Sequence, residues 1–310
     1  MVRQRAVSVA FLGVLALVAT ACGTQDDRPA GPTRSVPHAM GTAQVGVDAQ
    51  RVVVLDTGEL DSVLALGVTP VGTVSADEAT GPQSYLGQQA AQIGQVGTIQ
   101  SPNLEAIAAL QPDLILSNAV RHRDIFQQLQ GIAPTVFSQS VGKSWQQNLL
   151  LAGDALGKRA EAERILAGYR GKADEVGAAF GNPARTEVSM VRFMSGGVRL
   201  YGAGSFIGTV LADVGLGRPP IARTDRTFVE VGREEIAKAD GDLLFYAGYG
   251  EDGRARQAEL SAGPLWQRLT AVTRGAAHPV DDDLWYLGIG PLAADRVLDE
   301  LRSYAPGTRD

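Results

Sequence analysis

Ten side chains have the type and placement to hold an organic ligand. Arg121, Arg192 and Arg199 can donate charge-assisted hydrogen bonds to carbonyl or anionic oxygens. Tyr85, Trp145, Tyr201, Phe228, Tyr249, Trp285 and Tyr286 can cover apolar surface. Each lies at the end of a run that reads as a strand or in a loop beyond one, and open α/β sheets take ligands at the carboxyl ends of their strands. Aromatic residues make up only 6% of the chain, so seven of them near these loops is an enrichment. Arg192, at a strand end, and the Trp285–Tyr286 pair are the strongest candidates.

Other chemistry has weaker support. The three histidines, His38, His122 and His278, show no metal-ligand spacing, which argues against a carrier of bare Zn²⁺ or Mn²⁺. His122, flanked by Arg121 and Arg123, leaves an axial ligand for haem or cobalamin as an alternative. Gly202-Ala-Gly-Ser-Phe-Ile-Gly208 suggests a dinucleotide loop of a secreted α/β enzyme. Its spacing is wrong by one, and Phe206 and Ile207 are bulky where a pyrophosphate must approach. No nucleophile motif or Cys–His pair appears. The net charge of −6 and the lack of a basic stripe argue against nucleic acid. Only four of the 28 basic residues are Lys, so an individual Arg is weak evidence of selection for chemistry.

The elements that would position these side chains alternate in type. Apolar runs at Arg51–Leu55, Val68–Val74, Ile93–Gly97, Asp113–Ser117 and Thr135–Phe137 read as strands of a parallel sheet. Helical spacing lies between them, at Glu59–Leu66, Asn103–Leu110 and Asp124–Gln130. Ser144 to Phe180 has no strand signal, and Lys158–Phe180 is long enough to cross a domain boundary as one helix. Strands resume at Glu187–Phe193, Val198–Tyr201, Asp242–Tyr246 and Ala277–Val280, with helices at Ser205–Val214, Arg233–Ala239, Ala258–Leu269 and Pro291–Tyr304. The expected fold is α/β: two Rossmann-like lobes with parallel sheets, residues 48–157 and 182–310, joined by one spine helix at 158–181. The lobes echo each other, since Glu105 precedes the strand-opening Asp113 by the same interval as Glu234 precedes Asp242.

The N-terminus reads as an export signal over residues 1–21. Arg3 and Arg5 precede an uncharged Ala/Val/Leu run too short to span a bilayer, and Ala19-Thr20-Ala21 supplies small residues before a cleavage point. Cys22, the only cysteine, follows directly. This resembles the lipobox of bacterial lipoproteins, with Ala19 where Leu is usual, and implies a diacylated anchor. Residues 22–47, rich in Gly, Pro and Thr, are expected to form a flexible tether.

In order along the chain, Arg51-Val-Val-Val-Leu-Asp56, Asn103-Leu-Glu-Ala-Ile-Ala-Ala-Leu-Gln-Pro-Asp-Leu-Ile-Leu116, Ile132-Ala-Pro-Thr-Val136 and Asp283-Leu-Trp-Tyr286 resemble the binding proteins of ferric-siderophore and cobalamin ABC importers. Met190-Val-Arg-Phe-Met194, Arg199-Leu-Tyr201 and Trp285-Tyr-Leu-Gly288 are most similar to the actinobacterial lipoproteins for hydroxamate siderophores of the desferrioxamine kind. The resemblance implies an extracytoplasmic, membrane-anchored monomer that carries a ferric siderophore to a permease and its ATPase for iron uptake. It implies no cofactor, the iron travelling inside the ligand, and no catalysis. It also implies that Glu105 and Glu234 meet permease arginines, and that the spine allows only modest lobe closure.

Overall fold

The computed structural model describes residues 31–76 and 81–306. The export segment, Cys22 and the first residues of the expected tether lie outside the described residues.

In the N-terminal lobe, β3 (Val52–Val54), β4 (Gly72–Ser75), β5 (Gly94–Thr98), β6 (Leu114–Asn118) and β7 (Thr135–Ser138) form a sheet in the order β5-β4-β3-β6-β7, parallel throughout. Val52, Val53, Val54 and Leu55 are fully buried, as an unbroken apolar run covered on both faces requires. In the C-terminal lobe, β8 (Val188–Phe193), β9 (Val198–Tyr201), β10 (Phe228–Val231), β11 (Leu243–Gly248) and β12 (Ala277–Pro279) repeat that strand order as β10-β9-β8-β11-β12. Here only β8, β11 and β12 are parallel; β8-β9-β10 run antiparallel. The β10 segment, short and half-buried between polar loops, carries too little apolar pattern to stand out in the sequence. The helix expected over Ala258–Leu269 is two pieces, Gly250–Ser261 and Pro264–Gln267, because Gly263-Pro264 interrupts the helical hydrogen-bond ladder.

The internal echo has a structural cause. Asp113 accepts the Gln50 and Arg51 N–H groups at 2.7 and 2.9 Å, and Asp242 accepts the Glu187 N–H at 2.8 Å. In each lobe the Asp before one central strand ties down the backbone entering its parallel neighbour.

The helix Trp145–Leu156 ends at Gly157, whose φ of +68° favours glycine, and the spine helix Arg159–Ala179 follows. The spine packs on Trp145–Leu156 from one lobe and on Pro291–Arg302 from the other. One buried core runs through both lobes, from Val52 and Leu60 past Leu149, Leu166 and Ala173 to Val210 and Val297. Asp61 crosses the same boundary. This fully buried N-lobe carboxylate accepts the Leu292 and Ala293 N–H groups at 2.8 and 3.0 Å and so caps the last helix of the C lobe.

The tether reading is corrected for residues 33–46. β1 (Thr33–His38) and β2 (Gly41–Gly46) form an antiparallel hairpin packed on β7 and on the helix Trp145–Leu156. Its alternation is built from small residues: Val36, Ala43 and Val45 are buried while their neighbours face outward. Arg34 pins the hairpin through its guanidinium to the Ala155 and Val47 carbonyls.

Candidate ligand-binding site

Between the carboxyl ends of the two sheets lies a cavity of about 410 Å³, within the range of small-molecule sites. A larger recess, about 710 Å³, sits at the opposite edge of the N-lobe sheet beneath the hairpin. It has no arginine or aromatic residue, and its Asp113 is committed to backbone, so its size does not make it the better site.

The N lobe contributes strand ends. Asp56 follows β3 and caps the helix Thr57–Ala65, accepting the Thr57 N–H at 2.7 Å. Its second oxygen accepts the Asn118 amide at 2.9 Å and the Arg121 Nε–H at 3.2 Å. Asn118 ends β6 and caps the short helix Ala119–His122, which sets Arg121 at the cavity. Behind Asp56, Glu59 is buried and bonded to Ser138 at 2.9 Å through one oxygen, while the other has no partner. Burial, and then the Asp56 charge, push the Glu59 carboxyl up to about 7.

The C lobe contributes a sheet face. Arg192 stands directly opposite Arg199 across β8 and β9, and Tyr201 opposite Phe228 across β9 and β10. Directly opposed residues, and residues two apart, share a face, so all four belong to one surface. Arg192 binds Asp282 through Nε and Nη2 at 2.6 and 2.5 Å and donates Nη1–H to the Tyr201 hydroxyl at 3.3 Å. Its guanidinium carbon lies 4.4 Å from the Tyr249 ring centroid and 5.5 Å from that of Tyr286. Burial opposes the Arg192 charge, but the Asp282 bonds outweigh it and hold its pKa above the ordinary guanidinium value. Burial also raises Asp282, and the two-point Arg192 bond opposes that rise. Arg199 donates Nε–H to Glu230 at 3.1 Å and lies 4.0 Å over the Phe228 ring.

Arg121, Arg192, Arg199, Tyr201, Phe228, Trp285 and Tyr286 thus border one cavity. Arg192, the leading sequence candidate, has its donors largely committed. Arg121 and Arg199 each spend only Nε–H on a carboxylate, and among the described residues their Nη ends carry no other bond.

Three expected rings prove to be core. Trp145 is 1% exposed, edge-on to Tyr169 and Phe206, with its indole N–H on Thr209 across the lobe boundary. Tyr85 is buried away from the cavity, its hydroxyl on Asp61 at 2.8 Å. Trp285 stacks on Phe245 at 4.7 Å with its N–H on Glu300 at 2.6 Å, so it borders the cavity as a fully buried part of the core beneath it. Indole and phenol tips find partners when buried, and here those partners lie inward. Tyr249 lines an adjoining recess and meets the main cavity's wall through Arg192. Tyr286 turns its hydroxyl back to the Val191 and Phe245 carbonyls.

The structure removes the residues on which two alternatives leaned. His122 is 3% exposed, with Nδ1 2.7 Å from Ser117 Oγ and Nε2 2.7 Å from the Ile99 carbonyl oxygen, so neither nitrogen is available as an axial ligand. In the glycine loop, a Cβ at Gly202, Gly204 or Gly208 would collide with the loop's own backbone or that of Thr224–Arg226. Those glycines allow chain packing and open no phosphate cradle. The sequence places Asp56 at a strand end without singling it out as a site residue and gives no sign of Asp282, although each directly precedes or opens a helix, where a carboxylate is favoured.

A model of the family described as periplasmic binding protein matches residues 52–277. A probable siderophore-binding lipoprotein of Bacillus subtilis, YfiY, is 34% identical, the alignment covering 97% of this chain and 98% of that protein. The chain belongs to the periplasmic binding protein family. This periplasmic binding protein is also 29% identical to the Fe(3+) dicitrate-binding periplasmic protein of Escherichia coli, over 85% of this chain and 87% of that one. The crystal structure of Staphylococcus aureus SirA complexed with staphyloferrin B superposes with a TM-score of 0.79 at 29% identity, covering 87% of this chain and 97% of the other. The two-lobed α/β architecture is therefore the family's own.

Proposed function

We propose that the protein binds a ferric siderophore in the interlobe cavity and delivers it, from a lipid anchor at Cys22 on the outer face of the membrane, to an ABC importer for iron uptake. The observation that carries this reading is the pair of arginines, one per lobe, whose Nε–H groups are held by Asp56 and Glu230 while their two-nitrogen ends remain for a ligand. A guanidinium end is a fork that matches carboxylate oxygens. The favoured ligand is a ferric complex bearing anionic oxygens on two sides. The names of the relatives, which bind a siderophore or Fe(3+) dicitrate, support the class. The hydroxamate reading rests on sequence resemblance alone, and a purely hydroxamate complex would leave both forks with neutral partners. The iron needs no protein ligand, and binding without turnover is the role.

Docking on the permease is assigned to Glu105 and Glu234. Both are exposed, in the first turns of Leu104–Ala109 and of the 3₁₀ segment Arg233–Ala239. Glu235 is engaged by Lys238 and the Gly232 N–H, which leaves Glu234 as the docking carboxylate of its lobe. Calorimetric titration with ferric citrate, ferrioxamine B, haem and cobalamin tests the ligand. Tight binding of a ferric complex that haem and cobalamin do not match is expected; saturation by haem or cobalamin alone would overturn the reading.

A further inference from the structure

Arg121, Arg192 and Arg199 border the cavity, and a carboxylate answers each of them: Asp56, Asp282 and Glu230. Counted as pairs they leave the cavity wall close to neutral. A fourth arginine stands behind that wall without such an answer. Arg218, in the loop after the helix Phe206–Asp213, is 9% exposed. Its Nε–H goes to the Val188 carbonyl at 2.8 Å and an Nη2–H to the Tyr201 carbonyl at 2.6 Å. Its Nη1 has no partner, and no carboxylate pairs with it among the described residues.

Those bonds place the guanidinium against the start of β8 and the end of β9, the strands that carry Arg192, Arg199 and Tyr201. Burial lowers its pKa to about 10, with Tyr286 as the opposing influence, which still leaves it charged at neutral pH. A buried cation without a counterion costs stability. Donation to two carbonyls alone could be met by a neutral amide, so the charge calls for a separate reason. A charge buried to this degree is poorly screened by solvent.

We infer that Arg218 supplies the net positive charge of the cavity and selects anionic ferric complexes, acting through the Tyr201 and Tyr286 wall as a specificity-determining residue that does not touch the ligand. This rests on the siderophore reading above for the identity of the ligand, and on the geometry alone for the field.

The test uses the full chain with Arg218→Gln, which keeps an amide donor and removes the charge, and Arg218→Lys, which keeps the charge. Affinity is measured for ferric citrate and for ferrioxamine B, which carries no net negative charge. Arg218→Gln is expected to weaken ferric citrate about tenfold or more and to leave ferrioxamine B within about twofold, while Arg218→Lys recovers most of the loss. Equal losses on both complexes, or a Lys variant as impaired as the Gln variant, would mean a packing role and overturn the inference. A nitrile probe, p-cyanophenylalanine at position 228, reads the field without any ligand. Its stretching band should move in Arg218→Gln and return in Arg218→Lys, and an unmoved band overturns the inference. If the unsubstituted chain binds neither complex, the siderophore reading fails and the nitrile band alone decides: a shift upholds the field role of Arg218, no shift sinks it.

Discussion

The two lobes share a strand order and differ in how three strands run, and that difference determines what each gives the cavity. In the N lobe every strand is parallel to its neighbours, so the cavity meets only strand ends and the helix N-termini that follow: Asp56, Asn118, Arg121. In the C lobe β8-β9-β10 form an antiparallel meander. It turns a sheet face to the cavity and sets Arg192 beside Arg199 and Tyr201 beside Phe228 at cross-strand spacing. Helix starts favour carboxylates. A sheet face favours rings and long cationic side chains that pack over them. The N lobe accordingly presents a buried acidic floor, and the C lobe a wall of guanidinium and aromatic groups.

The comparison holds only while the lobes keep a fixed relation, and Asp61 is where that is most easily broken. Asp61→Ala strips the Leu292 and Ala293 N–H groups and the Tyr85 hydroxyl of their acceptor at a fully buried site. A loss of about 3–5 kcal/mol in urea unfolding is expected. Gly290, at φ +149°, closes the same contact, and any Cβ there would overlap the Asp61 carboxylate. Gly290→Ala should therefore approach the damage of Asp61→Ala. A loss below about 1 kcal/mol in both variants would mean that the shared apolar core alone holds the lobes together.

The next test asks whether both lobes grip the ligand. Arg121→Ala and Arg199→Ala each remove one fork, and each should weaken a carboxylate-bearing ferric complex about 10- to 100-fold, or about 1.4–2.8 kcal/mol. Arg121 is one-third exposed, and Asp56 keeps Asn118 and the Thr57 N–H without it, so stability should hardly move. The two arginines stand on opposite lobes with no shared partner, and the losses in the double variant should multiply. A double variant no weaker than one single variant would show that the ligand rests on one lobe only. Arg192→Ala should differ in kind: it strands the half-buried Asp282 and lowers stability as well as affinity.

The order of strands and helices was legible because an apolar run buried on both faces and a 3.6-residue period have few other readings, as Val52–Leu55 and the spine helix illustrate. The hairpin at 33–46 was not legible: its buried positions are Val and Ala set among Gly, Thr and Pro, a composition shared with linkers. At the site, residue type and strand-end position located the cavity but not the direction in which a ring points. Trp145, Tyr85 and Trp285 sit at the expected places, yet their polar tips turn inward to Thr209, Asp61 and Glu300, partners distant in sequence. The same holds for the arginines, where only the pairing with Asp56, Asp282 or Glu230 separates a committed guanidinium from one with a free end.

The smallest expected effect separates the lobes by pH. Burial and Asp56 hold the Glu59 carboxyl at about 7, against an ordinary 4.5, so the folded chain keeps this proton more tightly than the unfolded one. Stability associated with the protonated form is complete below about 4.5 and is lost as pH rises through 7. Asp61, pushed up to about 6 chiefly by burial, adds a slope of the same sign between its ordinary 3.8 and 6. Glu59→Gln keeps the shape and removes the ionisation. It should match the parent near pH 5 and exceed it by about 2 kcal/mol at pH 8, seen as a higher Tm. Asp282→Asn, in the opposite lobe, removes a charge that Arg192 holds at two points, and should lower Tm at both pH values. Two variants that each delete one buried negative charge would then move stability in opposite directions at pH 8. If Glu59→Gln gained nothing there, the unpartnered oxygen of Glu59 would be solvated after all, and the acidic floor would carry no strain to set against the neutralised wall.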